Sequence, residues 1–205
     1  MGLGAQLVPG FSTAELGVDQ GLSSHHVPAL TVIAMVLNTL YAPLAGGFIV
    51  LLISAYLWLV RRAPVNAVAF ALVASSGWVA SEFFKTIIAR HRPDPAMLLD
   101  PLSPETGSNS FPSGHVAFAV ALAFALYFLA RGSRWATGTA VTGAVMAVVV
   151  AWSRVYIGVH YPSDVAASFP AAIAAEILLA GLWNRYAARW MNRHPFTAAP
   201  SMSRS

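Results

Sequence analysis

Side chains that could do chemistry fall into three short polar clusters, each beside a long apolar run. The first cluster contains Lys85 and Arg92, seven residues apart, with Pro93 after them. A helix that continued to the proline would make two turns over those seven residues and place both cations on one face. The first cluster therefore predicts two cations at one helix end, where they could bind an anion or simply anchor the helix at a membrane interface.

The second cluster is the segment Phe-Pro-Ser-Gly-His at 111–115, which opens an apolar run. Proline suits the first turn of a helix, and the free N–H groups of that turn favour an anion. Ser113 and the N–H of Gly114 could therefore contact an anion beside His115. Taken alone, the serine could be a helix cap and the histidine a hydrogen-bonded polar residue.

The third cluster runs from Ser153 to Asp164 and contains Arg154 and His160. His160 precedes a predicted helix whose first turn holds Asp164. A carboxylate beside an imidazole fixes its tautomer and stabilises its charged form. The pair could therefore be catalytic, although a structural hydrogen-bonded pair would have the same spacing.

Together the three clusters contain the groups that phosphoryl transfer requires. Lys85, Arg92 and Arg154 could hold a phosphoryl group and stabilise its equatorial oxygens. Ser113 and Gly114 would add neutral donors. One histidine could attack phosphorus while the other protonates the leaving oxygen. The sequence therefore predicts hydrolysis of a phosphomonoester or diphosphate through a phosphohistidine, with no metal and no cofactor.

The composition indicates a membrane protein. Of the 205 residues, 57% are hydrophobic and only 10% are charged, against about 25% charged residues in a typical soluble domain. There are no cysteines, which excludes disulfides and thiolate chemistry. The net charge is +4, but the basic residues lie beside apolar runs, so we expect them to orient the chain in a bilayer and we expect no nucleic-acid partner.

We predict an all-α integral membrane bundle with five transmembrane helices, or six if another span exists at the amino terminus. The 34 uncharged residues 27–60 are too long for one span and too short for two. We therefore divide them into an interfacial segment at 27–39 and a span at 42–60. The whole chain 1–205 is one domain, with an extracytoplasmic arm at 1–26, a transmembrane core at 42–183 and a cytoplasmic tail at 184–205.

Basic residues predict the orientation of the bundle. In a five-span arrangement, eight of them fall on one side and four on the other. The positive-inside rule places the larger group in the cytoplasm, together with the carboxy terminus. The smaller group, which contains the three cations of the polar clusters, then lies on the extracytoplasmic face.

The three clusters resemble the type 2 phosphatidic acid phosphatase superfamily, the membrane lipid phosphatases related to glucose-6-phosphatase and the vanadium haloperoxidases. That family's pattern is Lys, six residues, Arg-Pro; then Pro-Ser-Gly-His; then Ser-Arg, five residues, His, three residues, Asp. All three parts are complete between Lys85 and Asp164. The resemblance covers the four spans from about residue 65 to 183. The family usually has six spans, so residues 20–39 could correspond to the interfacial helix before its second span.

The resemblance implies a role for each matched residue. His160 would be the nucleophile, Asp164 its partner and His115 the general acid. Five residues would bind phosphate, namely Lys85, Arg92, Ser113, Gly114 and Arg154. The implied substrate is a lipid phosphate in the cell membrane, and we favour an undecaprenyl or decaprenyl diphosphate from envelope lipid-carrier recycling. Phosphatidate, phosphatidylglycerophosphate and a phosphorylated polyprenyl sugar remain open, as does the oligomeric state.

Weaker expectations concern residues outside the motifs. Glu82 would pair with Lys85 on one helix, and Glu176 would face the bundle or a partner. His91 could contact the leaving group or headgroup. The loop 94–110 could cover the pocket and touch lipid.

Other function classes use only part of the pattern. An intramembrane serine protease would leave the three cations without a role, and Phe-Pro precedes Ser113 where the Gly-x-Ser elbow is expected. A vanadate-dependent peroxidase would share the anion site, but the short membrane-embedded chain argues against it. A non-enzymatic lipid-phosphate binder or transporter would need neither both histidines nor Asp164. A purely structural membrane protein would need none of these residues.

Overall fold

The computed structural model describes Gly2, Gly4 and residues 8–187, in which all regular elements are helical. Residues 188–205, most of the predicted tail, lie outside the described residues. The seven α-helices of the described part are α1 (Phe11–Ser23), α2 (Pro28–Leu40), α3 (Pro43–Ala55), α4 (Pro64–Ile88), α5 (Gly114–Ala130), α6 (Ala136–Tyr156) and α7 (Pro162–Leu182). The predicted all-α membrane bundle is therefore confirmed.

Four of these helices are long and apolar enough to cross a bilayer. They are α4, α6, α7 and the helix formed by α3 with the π-helical turn that extends it to Val60. The remaining predicted span corresponds to α5, an apolar helix of 17 residues. Helices α2, α3, α4 and α7 each begin on a proline, whose fixed φ suits the first helical position and whose missing N–H costs nothing there.

Helix α5 is the centre of the bundle and packs against α4, α6 and α7. Its first half is buried on every side, as expected for a helix that is apolar all round. Small residues let its neighbours approach closely. Gly77 of α4 meets the backbone carbonyl of Ala117 so closely that a Cβ atom would overlap it. The Trp78 ring stacks on Phe118 with centroids 3.9 Å apart.

Helix α2 lies across one end of α6. At its start the N–H of Val27 donates to the Tyr156 hydroxyl at 2.9 Å. Near its end the Asn38 side chain accepts from Arg154. Since Arg154 and Tyr156 both belong to the last turn of α6, the two ends of α2 contact the same end of the bundle. The interfacial location of residues 27–39 stays a prediction.

The first polar cluster is not continuous helix, which corrects one prediction. Helix α4 ends at Ile88, and Ala89 has a left-handed backbone with φ of 47°. Arg92 therefore lies in the following loop and not on the same helical face as Lys85. Pro93 disfavours helical conformation in Arg92, and the chain has already turned before it. Pro112 likewise precedes α5, which begins at Gly114, and does not lie in its first turn.

Candidate active site

The predicted site residues meet at one end of the bundle. The carboxy-terminal ends of α4 and α6 and the amino-terminal ends of α5 and α7 lie there, because consecutive helices run antiparallel. The loops after α4 and α6 add the remaining residues. Each of the three sequence clusters therefore contributes residues to one candidate site at this end of the bundle. The residues are Lys85, Arg92, Ser113, Gly114, His115, Arg154, His160 and Asp164.

His160 and Asp164 form a buried pair between α6 and α7. His160 is 1% exposed, and Asp164 is fully buried in the first turn of α7. The Oδ2 atom of Asp164 lies 3.7 Å from His160 Nδ1. The same oxygen accepts from the Ser110 hydroxyl at 2.5 Å and from the Tyr161 N–H at 3.0 Å. These donors hold the carboxylate edge towards the imidazole.

The imidazole of His160 is neutral near neutral pH. Burial and the nearby positive charges of Arg92 and Arg154 together lower its pKa to about 4, although Asp164 acts in the opposite direction. With Nδ1 facing the carboxylate, the proton belongs on Nδ1 and the lone pair on Nε2. Nε2 lies 3.3 Å from the guanidinium of Arg92. The unprotonated nitrogen therefore points towards the cations.

Arg92 and Arg154 form an anion-binding cradle, by which we mean the space that both guanidinium groups face. The carboxylate of Glu105 lies in it, with one oxygen 2.9 Å from Arg92 and the other 3.3 Å from Arg154. Arg92 is oriented by the Val159 carbonyl at 3.0 Å. Burial lowers the pKa of Arg92. The position of Glu105 shows that two oxygens of one anion can reach both guanidinium groups.

Two buried donors of the predicted phosphate-binding residues have no hydrogen-bond partner among the described residues. They are the Ser113 hydroxyl and the Nε atom of Arg154. Ser113 occupies the cap position of α5, but its side chain makes no cap hydrogen bond, so its interpretation as a helix cap is wrong. Buried donors are nearly always paired. Since these two have no partner in the described part of the chain, both are available to donate to a bound anion.

Lys85 lies against the start of α5. A Cβ atom built on Gly114 would be 3.4 Å from Lys85 Nζ and 3.3 Å from the Ser81 hydroxyl. Glycine therefore keeps this space open between the lysine and the helix terminus. Lys85 also donates to Glu82 at 2.7 Å, which confirms the predicted pair.

His115 contacts α2. Its Nε2 lies 2.9 Å from the Asn38 carbonyl. Since a carbonyl only accepts, Nε2 carries a proton and Nδ1 is the acceptor nitrogen of the neutral ring. The Asn38 side chain binds Arg154, so this residue joins the histidine to the cradle.

Several residues outside the three motifs also contact the predicted ones. Asn38 and Glu105 contact the cradle. Arg90 binds Asp164 directly, and Glu15 binds Arg90. None belongs to a motif. The signal available for three of them was their charge, which is rare in a chain with 10% charged residues.

The structure also shows where the weaker candidates outside the motifs lie, namely Glu176, His91 and the loop 94–110. Glu176 faces the bundle, as predicted, and accepts from Ser76 at 2.7 Å. His91 is exposed. The loop 94–110 is attached to α1, where Gln20 donates to the Met97 carbonyl at 3.0 Å. Leu99 is 79% exposed, so this loop presents an apolar side chain at its surface.

Asp19 on α1 is a buried carboxyl group without a hydrogen-bond partner among the described side chains and backbone. Burial raises its pKa from 3.8 to about 8, and the negative charges of Asp164 and Glu15 contribute to the rise. The folded protein therefore keeps this proton up to about pH 8, whereas the unfolded chain releases it near pH 3.8. Asp19 is thus neutral in the folded protein at pH 7.

We expect Asp19→Asn to stabilise the protein in a pH-dependent way. Unfolding of the wild type releases a proton between pH 4 and 8, so the wild type loses stability as the pH rises through that range. The amide has no such proton. The advantage of the variant should be absent below pH 4, grow to about 4 kcal/mol at pH 7 and level off above pH 8. Thermal unfolding in detergent from pH 5 to 8 measures it, and a difference that is constant with pH would contradict the protonation of Asp19.

Comparison with known proteins identifies the family. The sequence profile of the PAP2 superfamily matches residues 64–188. The chain is 29% identical over 157 residues to the undecaprenyl-diphosphatase BcrC of Bacillus subtilis, a match that covers 76% of each protein. It superposes with a TM-score of 0.76 and 25% identity on a PAP2-type phosphatidylglycerolphosphate phosphatase from Bacillus subtilis, covering 89% of this chain and 90% of that one.

A second solved structure, LpxE of Aquifex aeolicus, has the same fold. Its TM-score is 0.63 at 23% identity, over 81% of this chain and 94% of that one. The family profile includes all three polar clusters and all the helices that carry them. The chain therefore belongs to the PAP2 superfamily, and it is an integral membrane protein of the lipid phosphatase class.

Proposed function

We propose that this protein hydrolyses the diphosphate of a polyprenyl lipid through a phosphohistidine on His160, without a metal ion. The observation that carries the proposal is the neutral, oriented imidazole of His160. Its Nε2 lies 3.3 Å from a guanidinium of the cradle, and its Nδ1 faces a buried carboxylate. A nucleophile, its orienting partner and an anion-binding site are thus contiguous.

In the first step, the terminal phosphoryl group occupies the cradle and displaces the carboxylate of Glu105. Arg92, Arg154 and Lys85 bind its oxygens, with the Ser113 hydroxyl and the Gly114 N–H as neutral donors. Nε2 of His160 attacks phosphorus, and the bond to the bridging oxygen breaks. His115 takes up a second proton on Nδ1 when the negatively charged diphosphate enters the site and passes it to the leaving oxygen, so polyprenyl monophosphate departs. Asp164 stabilises the positive charge that the imidazole gains.

In the second step, a water molecule attacks the phosphohistidine. His115 accepts its proton, the N–P bond breaks and inorganic phosphate forms. The sum is one diphosphate and one water converted to one monophosphate and one phosphate. The three cations supply the positive charge that stabilises the transferring phosphoryl group, which supports a reaction without a metal ion.

The relatives support the choice of lipid. BcrC, matched over 76% of its length, is an undecaprenyl-diphosphatase, which favours a polyprenyl diphosphate. The phosphatidylglycerolphosphate phosphatase that shares the fold at 25% identity favours a glycerophospholipid monophosphate as the second candidate. Phosphatidate and a phosphorylated polyprenyl sugar have the same phosphate chemistry. The cradle itself recognises the phosphoryl group that all of them share.

A substrate panel tests the proposal. Purified protein in detergent is given a polyprenyl diphosphate, phosphatidylglycerophosphate and phosphatidate, with and without EDTA, and phosphate release is measured against a His160→Ala blank. We expect EDTA-resistant release that is fastest with the polyprenyl diphosphate. Complete loss of activity in EDTA, restored by a divalent cation, would contradict the metal-independent mechanism. Faster release from phosphatidylglycerophosphate would favour the second candidate.

We also propose that the site faces the extracytoplasmic side of the cell membrane. Arg61, Arg62, Arg131 and Arg134 lie in the connections at the opposite end of the bundle from His160, and basic connections favour the cytoplasm. A topology reporter fused to the carboxy terminus should therefore give a cytoplasmic signal. An extracytoplasmic signal from a fusion that retains phosphatase activity would reverse the orientation.

A further inference from the structure

A buried ion-pair chain connects α1 to the catalytic pair. Arg90, which is 2% exposed, divides its guanidinium between two carboxylates. Its NH1 donates to Asp164 Oδ1 at 2.6 Å, and its NH2 donates to Glu15 Oε2 at 2.8 Å. The Tyr161 ring covers the guanidinium, with 4.1 Å between its centroid and Cζ. The Asp164 oxygen that Arg90 holds is the one opposite to the oxygen that faces His160.

Glu15 is also bound to the start of α7. Its Oε1 accepts the N–H of Ser163 at 2.6 Å, and its Oε2 accepts the Ser163 hydroxyl at 2.9 Å. The hydroxyl in turn accepts from Arg90 at 2.8 Å. A carboxylate at the first turn of a helix satisfies an N–H that has no partner within the helix. Glu15 thus contacts the residue next to Asp164 as well as the cation that binds Asp164.

We propose that Glu15 is a positioning residue of the catalytic pair, acting through Arg90 and Ser163 on Asp164. The role rests on the proposed function, because it presumes that Asp164 orients His160 for attack. When both carboxylates are in place, Asp164 binds NH1 of Arg90 and Glu15 binds NH2. This forked arrangement fixes the plane of the Asp164 carboxylate. With Glu15 neutralised, the guanidinium is free to shift towards Asp164, and the carboxylate edge that faces His160 turns with it.

The geometry distinguishes Glu15 from its neighbour on α1. Asp19 lies one turn further along the same helix and is equally buried, but the described residues offer it no hydrogen-bond partner. Docking of α1 buries both carboxyl groups, whereas only Glu15 contacts Arg90. Asp19→Asn is therefore the matched control for Glu15→Gln, since each replaces a buried carboxyl of α1 with its amide.

The experiment compares kcat and KM for polyprenyl diphosphate hydrolysis at pH 6 in the full-length protein. We expect Glu15→Gln to lower kcat about 10- to 100-fold, the usual loss for a residue that orients a site group, with KM changed less than about twofold. Asp19→Asn should keep kcat within about twofold. Gel filtration and thermal unfolding establish that each variant is folded.

A double-mutant cycle shows whether the effect passes through Arg90. In an Arg90→Met background, Glu15 faces Asp164 without an intervening cation, so Glu15→Gln should leave kcat unchanged or raise it. Lowering kcat by the same factor in both backgrounds would indicate a merely structural role for Glu15 and overturn the proposal. If Arg90→Met does not fold, Arg90→Lys replaces it as the background, because a lysine ammonium lacks the two-pronged guanidinium that binds both carboxylates. In the Arg90→Lys background, Glu15→Gln should lower kcat by less than about threefold.

The remaining outcomes separate this proposal from the proposed function. If the wild type is active, His160→Ala is inactive and Glu15→Gln behaves like Asp19→Asn, the positioning role alone is overturned. If His160→Ala retains activity, or the wild type releases phosphate from none of the lipids, the proposed function is overturned together with the role of Glu15.

Discussion

His160→Ala should lower kcat for lipid phosphate hydrolysis at least about 10⁴-fold, because the variant lacks the atom that forms the bond to phosphorus. His160→Asn tests the same atom with a polar side chain of smaller volume and should be equally inactive. Neither change removes a cation from the cradle, so the affinity for substrate should be largely kept. Phosphate release with radiolabelled lipid gives the sensitivity that this range requires.

His25→Ala is the matched control for this loss. His25 is an exposed histidine whose ring hydrogen-bonds the end of α1 through the Gly21 carbonyl and the Ser24 hydroxyl. Its removal should leave kcat within about twofold of the wild type. Acid-labile phosphate on the quenched wild-type protein, absent from His160→Ala, would identify the intermediate. A His160→Ala protein with more than a tenth of wild-type activity would refute the nucleophile assignment.

Asp164→Asn should lower kcat about 10³- to 10⁴-fold while keeping the shape of the site. The amide oxygen would face Arg90, since an NH₂ group costs more against this charged donor than against the neutral Tyr161 N–H on the other side. The NH₂ group would then face His160 Nδ1, which would have to accept a hydrogen bond and lose its proton to Nε2. A protonated Nε2 has no lone pair for phosphorus, so the variant would hold the imidazole in its unreactive tautomer.

Glu176→Gln provides the matched control for Asp164→Asn. Both residues are buried acids of α7, and Glu176 contacts Ser76 of α4. We expect this control to retain full activity, measured with the same lipid and detergent. A loss smaller than tenfold in Asp164→Asn would show that the carboxylate does not set the tautomer of His160.

The sequence was sufficient for the helices and for the spacing of the motifs. Apolar runs bounded by arginines and prolines predict the spans, because lipid requires long uncharged helices. The motif residues lie at the ends of these helices, so antiparallel packing alone brings them to one end of the bundle. The exception is Arg92, which lies outside α4 because the chain turns at Ala89.

The supporting residues could not be predicted in the same way. Asn38 on α2 lies 116 positions from Arg154, and Glu15 on α1 lies 148 positions from Ser163. Their placement depends on how two short helices dock on the bundle, which neither periodicity nor spacing determines. Glu105 lies in a loop, where the sequence has no helical periodicity from which its position could be predicted. Only the rarity of charge in this chain points to the two glutamates, and no such signal exists for Asn38.

The length of α5 has a consequence for the depth of the reaction. Its 17 residues rise about 26 Å, less than a hydrocarbon core of about 30 Å, whereas its neighbours α4, α6 and α7 have 25, 21 and 21 residues. Because the first half of α5 is wrapped by protein, that end of the helix does not have to match the bilayer. Ser113 and His115 lie at the buried end of this short helix. The local dielectric there is lower than at the open surface, so each charge of the cradle acts on phosphate more strongly than it would in water.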